Sequence, residues 1–348
     1  MGAAWWWGTE MGRLALRPGG VRRLLSALLL LVAPPLAALE TVDGVRTLRS
    51  ADVQQADYPA VQAVHAMGQS LHRQSGGKLA IQVYSAALLG DEATLLQLTR
   101  SGELDLNRVS AQALEEVFPL VRVLSLPFLF RDVDHLNRVL DGPIGAELLG
   151  AMNGKGLVAL AFFEAGGRSI CTVSHPVRRP EDLKGLRIRV PPSALASAVF
   201  EAWGARPIKL PFSQTGNALA THLIDAAENN LLAYASAEHH RHAPWLTLTH
   251  HTFSPEVLVM SRRSWDALSG AEQAMLRRAA REARPMMRDM WQQREERVEA
   301  LLRLGGVSFV DIPPAERARF EAALRPLYAR FVGSPEQRRL IARIRALR

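Results

Sequence analysis

The chain has 348 residues, with 42 Lys plus Arg against 34 Asp plus Glu, 48% hydrophobic and 22% charged residues. That length exceeds the roughly 250–300 residues at which single cores stop growing and predicts two domains, and the balance excludes disorder, collagen and coiled coil. A single cysteine, Cys171, excludes an internal disulfide framework and a cysteine-rich zinc module.

At the N-terminus, Arg13, Arg17, Arg22 and Arg23 precede an apolar run, Leu24 to Val32, broken by Pro34-Pro35 and followed by small Ala37 and Ala38. That order of parts reads as a secretory signal peptide over residues 1–38, cleaved near Ala38, with Met11 as a natural start. The apolar run is shorter than the roughly 20 residues of a membrane span. No later stretch is long enough either, so no direct membrane span is expected after cleavage. The net charge of +8 falls to +5 once the leader's four arginines and Glu10 are set aside. The remaining basic residues form no long run, so no nucleic-acid partner is expected.

Thr47 to Val53 reads as a weak first strand. Pro59 to Arg73 is an amphipathic helix, with Val61, Val64, Met67 and Leu71 at helical spacing and Gly76-Gly77 ending it. Leu79 to Tyr84 alternates apolar and polar residues as a half-buried strand does. A loop at Leu89-Gly90-Asp91 leads into a helix over Glu92 to Arg100, and Leu104 to Val109 is a further strand. Strand and helix alternate here, which favours an α/β layer architecture. Val121 to Phe130 is almost wholly apolar. Helices are predicted over Asp132 to Leu140 and Ile144 to Asn153, and a buried strand over Leu157 to Phe163.

Gly166-Gly167-Arg168 reads as a turn after that strand, and Arg178 to Lys184 as a polar loop. Leu186 to Val190 is a strand with basic residues on one face, closed by Pro191-Pro192. Ser193 to Trp203 is a helix, Ile208 to Leu210 a short strand, Ser213 to His222 a helix, and Ile224 to Glu228 a strand running into Asn229-Asn230. Phe253 to Ser261 is a strand. Ser269 and Glu272 form a capping box at the head of a helix predicted to reach Leu304, with Pro285 expected to kink it. Pro314 to Phe331 and Pro335 to Leu347 are terminal helices, the second with a Ser334/Gln337 capping box.

The usual nucleophile-elbow, phosphate-loop, zinc-protease and dinucleotide motifs are absent, and no cofactor is predicted. His239, His240 and His242 surround Arg241, a poor neighbour for a metal, so this segment reads as a solvated helix face or loop. Cys171 reads as a packed, quiet thiol, since nothing orients a base onto it. Two arginines and an asparagine are more informative. Arg168 follows a buried strand, Arg189 lies inside a strand, and Asn229 stands at a strand's carboxyl end, where α/β sheets bind ligands. Residue types alone leave two readings open: surface or salt-bridged arginines, or a paired-guanidinium anion site.

With these segments in view, Leu48 to about Phe331 resembles the DctP-type solute-binding proteins of tripartite ATP-independent periplasmic (TRAP) transporters. The likeness rests on GGKLAIQVYSAALLGDEATLLQLTRSGELDL, on LPFLF at Leu126 to Phe130, on PEDLKGLRIRV and on PFSQTGNALATHLIDAAENN. It implies an α/β fold of two lobes with hinge strands and a long lobe-spanning helix. Lobe I would comprise residues 39–165 plus 251–285, and lobe II residues 166–250 plus 286–348. It implies Arg189 as the principal carboxylate-binding arginine, Arg168 as the second, Asn229 as an amide ligand and Phe212 as an apolar wall. Glu92, Arg108 and Ser110 are further first-lobe candidates.

The resemblance also implies a periplasmic location, a small organic acid as ligand, and delivery to small DctQ-type and large DctM-type membrane subunits. Hinge closure of the lobes on the acid would be the signal those subunits read. The ENN…Tyr234 pattern and PEVLVMS are similar to a branch associated with uronic acids, whereas a C4-dicarboxylate-like acid is the other candidate. Gly216 stands where the family usually has an aromatic, Asn230 where Pro is commoner, and Leu231 where that branch commonly has Trp. An exported enzyme acting on a small anionic metabolite is the alternative function.

Overall fold

The computed structural model describes residues 41–42, 44–163, 166–253 and 255–347. The leader expected over residues 1–38 lies outside them. Among the described residues, no helix is long and apolar enough to cross a membrane.

Two mixed six-stranded sheets organise the described chain. The strands in chain order are β1 Thr41–Val42, β2 Val45–Ala51, β3 Leu79–Tyr84, β4 Leu106–Ser110, β5 Leu157–Phe163, β6 Gly167–Thr172, β7 Arg187–Val190, β8 Arg206–Lys209, β9 Ala226–Asn229, β10 Trp245–Phe253, β11 Glu256–Ser261 and β12 Ser308–Asp311. The first sheet runs β1-β2-β4-β11-β5, with β3 also on β2. The second runs β12-β10-β6-β9-β7-β8. The fold is the expected two-lobe α/β architecture, with one sheet in each lobe.

The chain crosses between the sheets twice in short connections. One runs from the end of β5 to the start of β6, the other from the end of β10 to the start of β11. Phe163 pairs with Glu256 at the end of one ladder of the first sheet, and Gly167 with Phe253 at the end of one ladder of the second. A third link is the 35-residue helix Gly270–Leu304. Its Leu276, Ala279, Ala280, Ala283 and Met287 pack in one apolar cluster with first-sheet residues such as Leu106 and Leu258. Leu302, near its end, packs instead with Cys171, Ala227 and Leu246 of the second sheet. The predicted capping box is present, with the Ser269 hydroxyl accepting from Glu272 N and the Glu272 carboxylate from Ser269 N. The helix continues through Pro285.

Several elements match the sequence closely. The apolar run LVALAFF is β5, buried at every position because it is covered on both faces. The helix expected from Pro59 spans Pro59–Gln74. Other elements differ. Gly167–Thr172 is a strand rather than the sequel to a turn. Trp245–Phe253 and Ser308–Asp311 are strands that the sequence did not suggest. Of the segment expected as one strand over Phe253 to Ser261, Glu256–Ser261 is β11, whereas Phe253 ends β10 in the other sheet. The apolar stretch from Pro119 to Ser125 is a 3-10 helix, and the polar loop at 178–184 contains another, Pro180–Leu183.

A candidate anion site between the two sheets

A cavity of about 320 Å³ is lined on one side by Arg168, Arg189, Pro191, Pro192, Pro211, Phe212 and Asn229, and on the other by Gln54, Glu92, Ser110 and Glu256, among others. That volume lies at the low end of small-molecule sites, about 300–1,000 Å³, and suits a guest the size of a monosaccharide.

The second-sheet wall is built on β7, Arg-Ile-Arg-Val. Strand alternation sends Ile188 and Val190 into the core and puts Arg187 and Arg189 on the opposite face. Arg187 is half-exposed and forks onto Asp225, with Nη2 to Oδ1 at 2.7 Å. Arg189 is buried, only 3% exposed, and its Nε donates to Leu210 O at 2.9 Å. Among the described residues it forms no ion pair, and its two terminal nitrogens have no hydrogen-bond partner. Burial pushes its pKa down to about 10; Glu228 pulls it back, Arg168 adds to the fall, and Glu92 pulls back again. The guanidinium is thus still charged at neutral pH. A buried cation without a counter-ion is costly, and a carboxylate in the cavity would relieve that cost.

Arg168 lines the same wall in a different state. Its Nε and Nη2 fork onto Glu228 at 2.6 and 2.7 Å, Nη2 also donates to Glu228 O at 3.1 Å, and Nη1 donates to Asn229 Oδ1 at 3.0 Å. Of five N–H groups, one on Nη1 remains. Burial alone would raise Glu228, but Arg168 and His251 overcome it and hold the carboxyl at about 2. The neighbouring backbone makes this possible. A Cβ on Gly167 would stand 2.5 Å from His250 Nδ1, so only glycine lets β10 approach here. Asn229 Oδ1 also accepts from Asn230 N at 2.9 Å. With its oxygen engaged twice, the amide is oriented with Nδ2 as its free end, an assignment that follows from the hydrogen-bond network.

The first-sheet wall is differently charged. Asp91 caps the helix Glu92–Ser101 by accepting from Thr94 N at 2.9 Å. Glu92, the first residue of that helix, accepts from Ser110 N at 2.7 Å and Ser110 Oγ at 3.1 Å. Arg108 does not line the cavity. Its Nε bonds Asp52 Oδ2 at 2.6 Å, its guanidinium also contacts Glu256, and its Cζ stands 5.7 Å over the Tyr58 ring. Arg108, expected from the sequence as a first-lobe candidate, thus stands behind the lining residues, shared between Asp52 and the cavity-lining Glu256. Of the other six predicted residues, the cavity brings together Arg189, Arg168, Asn229, Phe212, Glu92 and Ser110.

Sequence reasoning missed Gln54, Asp52, Glu228 and Glu256. Gln54 is buried at the cavity with Oε1 unpartnered. The Glu228 side chain is marked only by its place beside Asn229 in AAEN. The histidine segment also departs from expectation. His242 is exposed, but His239 is buried, and burial pushes its pKa down to about 4. Its ring lies edge-on to Phe212, with centroids 5.7 Å apart, and 3.8 Å from where a Cβ on Gly216 would stand. It thus backs the apolar wall beside the position where an aromatic was expected. Leu231 packs in the second-sheet core rather than lining the cavity. Cys171 is buried, and burial raises its thiol to about 12. Among the described residues no cluster of His, Cys, Asp and Glu could hold a metal ion.

A family profile described as bacterial extracellular solute-binding protein, family 7 (DctP), matches residues 50–334. A TRAP periplasmic solute-binding protein from Bradyrhizobium sp. BTAi1, solved with α/β-D-galacturonate, is 43% identical, with TM-score 0.84 over 86% of this chain and 99% of that one. Its counterpart from Xanthobacter autotrophicus Py2, solved with β-D-galacturonate, is 38% identical, with TM-score 0.84 over 86% of this chain and all of that one. The 2,3-diketo-L-gulonate-binding periplasmic protein of Escherichia coli K12 is 32% identical over 73% of this chain and 77% of its own length.

Proposed function

We propose that this chain, which belongs to the DctP family of bacterial extracellular solute-binding proteins, captures a sugar acid such as galacturonate or glucuronate through one carboxylate held by Arg189. The observation that carries this reading is the charge state of that arginine: buried, facing the cavity, and without a counter-ion among the described residues. Nε is fixed on Leu210 O, so the end bearing both terminal nitrogens is left to receive a carboxylate as a fork. The remaining Arg168 N–H and the Asn229 Nδ2 add donors to the same carboxylate or to an adjacent hydroxyl. Phe212 with Pro191, Pro192 and Pro211 offers an apolar surface to the guest's C–H face. Glu92, Ser110 and Gln54 supply acceptors for distal hydroxyls from the other wall.

The ligand bridges groups carried by the two sheets, so it binds the closed arrangement more tightly and shifts the population towards it. The hinge would be the two passages beside Phe163–Glu256 and Gly167–Phe253, with lobes divided as the sequence suggests. The protein is exported by its leader, works in the periplasm, and hands its cargo to small DctQ-type and large DctM-type membrane subunits. These assignments rest on the family and on the order of parts at the N-terminus.

A melting screen tests the reading. A ligand that binds only the native state stabilises it by roughly 2.7 kcal/mol at 100 times its Kd. D-galacturonate, D-glucuronate and galactonate are expected to raise Tm, and neutral D-galactose to leave it unchanged. A shift with galactose and none with the acids would refute the anion site.

A further inference from the structure

The charges around the cavity do not balance, and the imbalance is one-sided. Two cations line it, Arg168 and Arg189, and Arg168 is neutralised by Glu228. Four carboxylates line it, Asp91, Glu92, Glu116 and Glu256, and Glu256 contacts Arg108, whose single charge it shares with Asp52. That leaves one cation without an ion pair among the described residues against three such carboxylates. Asp91 is half-exposed and engaged as a helix cap, and Glu116 is exposed at the rim. Glu92 is different. Its two oxygens are held by the backbone N–H and hydroxyl of Ser110, so, though also half-exposed, it is fixed in the wall, and it forms no ion pair among the described residues although Arg108 feels its charge. It also bears electrostatically on Arg189, one of the groups favouring that arginine's charged form.

A carboxylate has about four lone-pair sites. Ser110 occupies two, leaving acceptor capacity that suits hydroxyl donors, whose bonds to an ionised oxygen are the stronger kind. A guest anchored by one carboxylate at Arg189 therefore meets acceptors at its far end. A second carboxylate there would find no free guanidinium, only a fixed like charge in a partly desolvated site, where repulsion is weakly screened. Exclusion by a built-in like charge is an effective route to specificity.

We propose that Glu92 is a specificity-determining residue, restricting this site to acids with one carboxylate and hydroxyls at the opposite end, and excluding aldaric and C4-dicarboxylic acids. This rests on the sugar-acid reading above and narrows it. Glu92→Gln is a conservative probe, because the amide oxygen can still accept from Ser110 N and the amide nitrogen can donate to Ser110 Oγ.

Calorimetric titration of the wild type and of Glu92→Gln with D-galacturonate, D-galactonate and galactarate tests the inference. Galactonate and galactarate differ at a single terminus, CH2OH against carboxylate. In the wild type, galactarate is expected to bind at least about 100-fold more weakly than the better of the two monoacids. In Glu92→Gln that ratio is expected to fall by about tenfold or more, chiefly through tighter galactarate binding. Equal wild-type affinity for galactarate and the monoacids overturns the inference while leaving the capture of acids standing. An unchanged ratio in a variant that melts like the wild type also overturns Glu92's role. If neither monoacid binds, the sugar-acid reading itself fails, and this inference with it.

Discussion

The two walls of the cavity treat a buried arginine in opposite ways. In the first sheet Arg108 lies between Asp52 and Glu256, and its charge is spent inside the protein. In the second, Arg189 has only a backbone carbonyl. The first arrangement is structural and self-sufficient. The second is unfinished, because among the described residues it forms no ion pair and is compensated only at a distance, by Glu228 and Glu92. The difference teaches that burial of a charge does not by itself mark a binding site. What marks it is burial without compensation beside a cavity.

Removing the partner from the first wall should break the contrast and have the largest effect. Asp52→Ala removes two charge-assisted hydrogen bonds from Arg108 and leaves it with Glu256 alone; bonds to charged groups are worth about 1.5–3 kcal/mol each. Tm is expected to fall by roughly 5–10 °C, measured by calorimetry. A variant that melts like the wild type would mean that Asp52 does not neutralise Arg108.

A second test concerns Glu115, which is buried and accepts from Ser193 Oγ at 3.3 Å, at the head of the helix Ala194–Ala202. Burial raises its carboxyl to about 7; Ser125, Arg122 and Ser193 oppose this without cancelling it. Arg122 stands 3.7 Å away and is about a quarter exposed, which is why so near a cation does not win. The folded state therefore prefers the protonated acid. The penalty is absent below the unfolded value near 4.3, grows as pH rises, and is complete above about 7. Glu115→Gln should match wild-type stability near about pH 4 and exceed it by roughly 3 kcal/mol near about pH 8. Denaturant melts at the two pH values check this, and a gap that does not grow with pH would contradict it.

Phe212→Ala sharpens the comparison from the apolar side. Loss of part of an aromatic wall should weaken D-galacturonate binding by about tenfold, as expected for roughly 1.5 kcal/mol of contact. Calorimetry reads that change, and undiminished affinity would show that the wall is not touched by the guest. The smallest effect is expected for Arg187→Ala. This arginine shares a face of β7 with Arg189 but is forked onto Asp225 in solvent. Affinity for D-galacturonate should stay within about twofold of wild type; a large loss would mean that strand position rather than an empty fork matters.

Much of the scaffold was legible because its signals are local. The all-apolar run of β5, the spacing in Pro59–Gln74 and the Ser269/Glu272 box each specify structure within a few residues. The strand β10 was not legible. WLTLTHHTF mixes threonines and histidines into its inner positions, and its pairing with β6 shifts register between Thr247 and Thr252. Glycines at 166 and 167 signalled a turn, although Gly167 is ladder-paired in β6 to accommodate His250. The candidate site shows the same division. Arg189, Arg168 and Asn229 stand out as polar groups at strand positions and strand ends. Whether an arginine is free or spent depends on partners far along the chain, Asp52 for Arg108 and Glu228 for Arg168, which no short motif records.

Calorimetric titration of D-galacturonate into wild type, Arg189→Lys and Arg189→Ala tests the central claim most directly. The wild type is expected to bind. The lysine variant should lose about tenfold or more, because a point charge cannot form the fork, and the alanine variant should show no measurable heat. Undiminished affinity in Arg189→Ala would contradict the account.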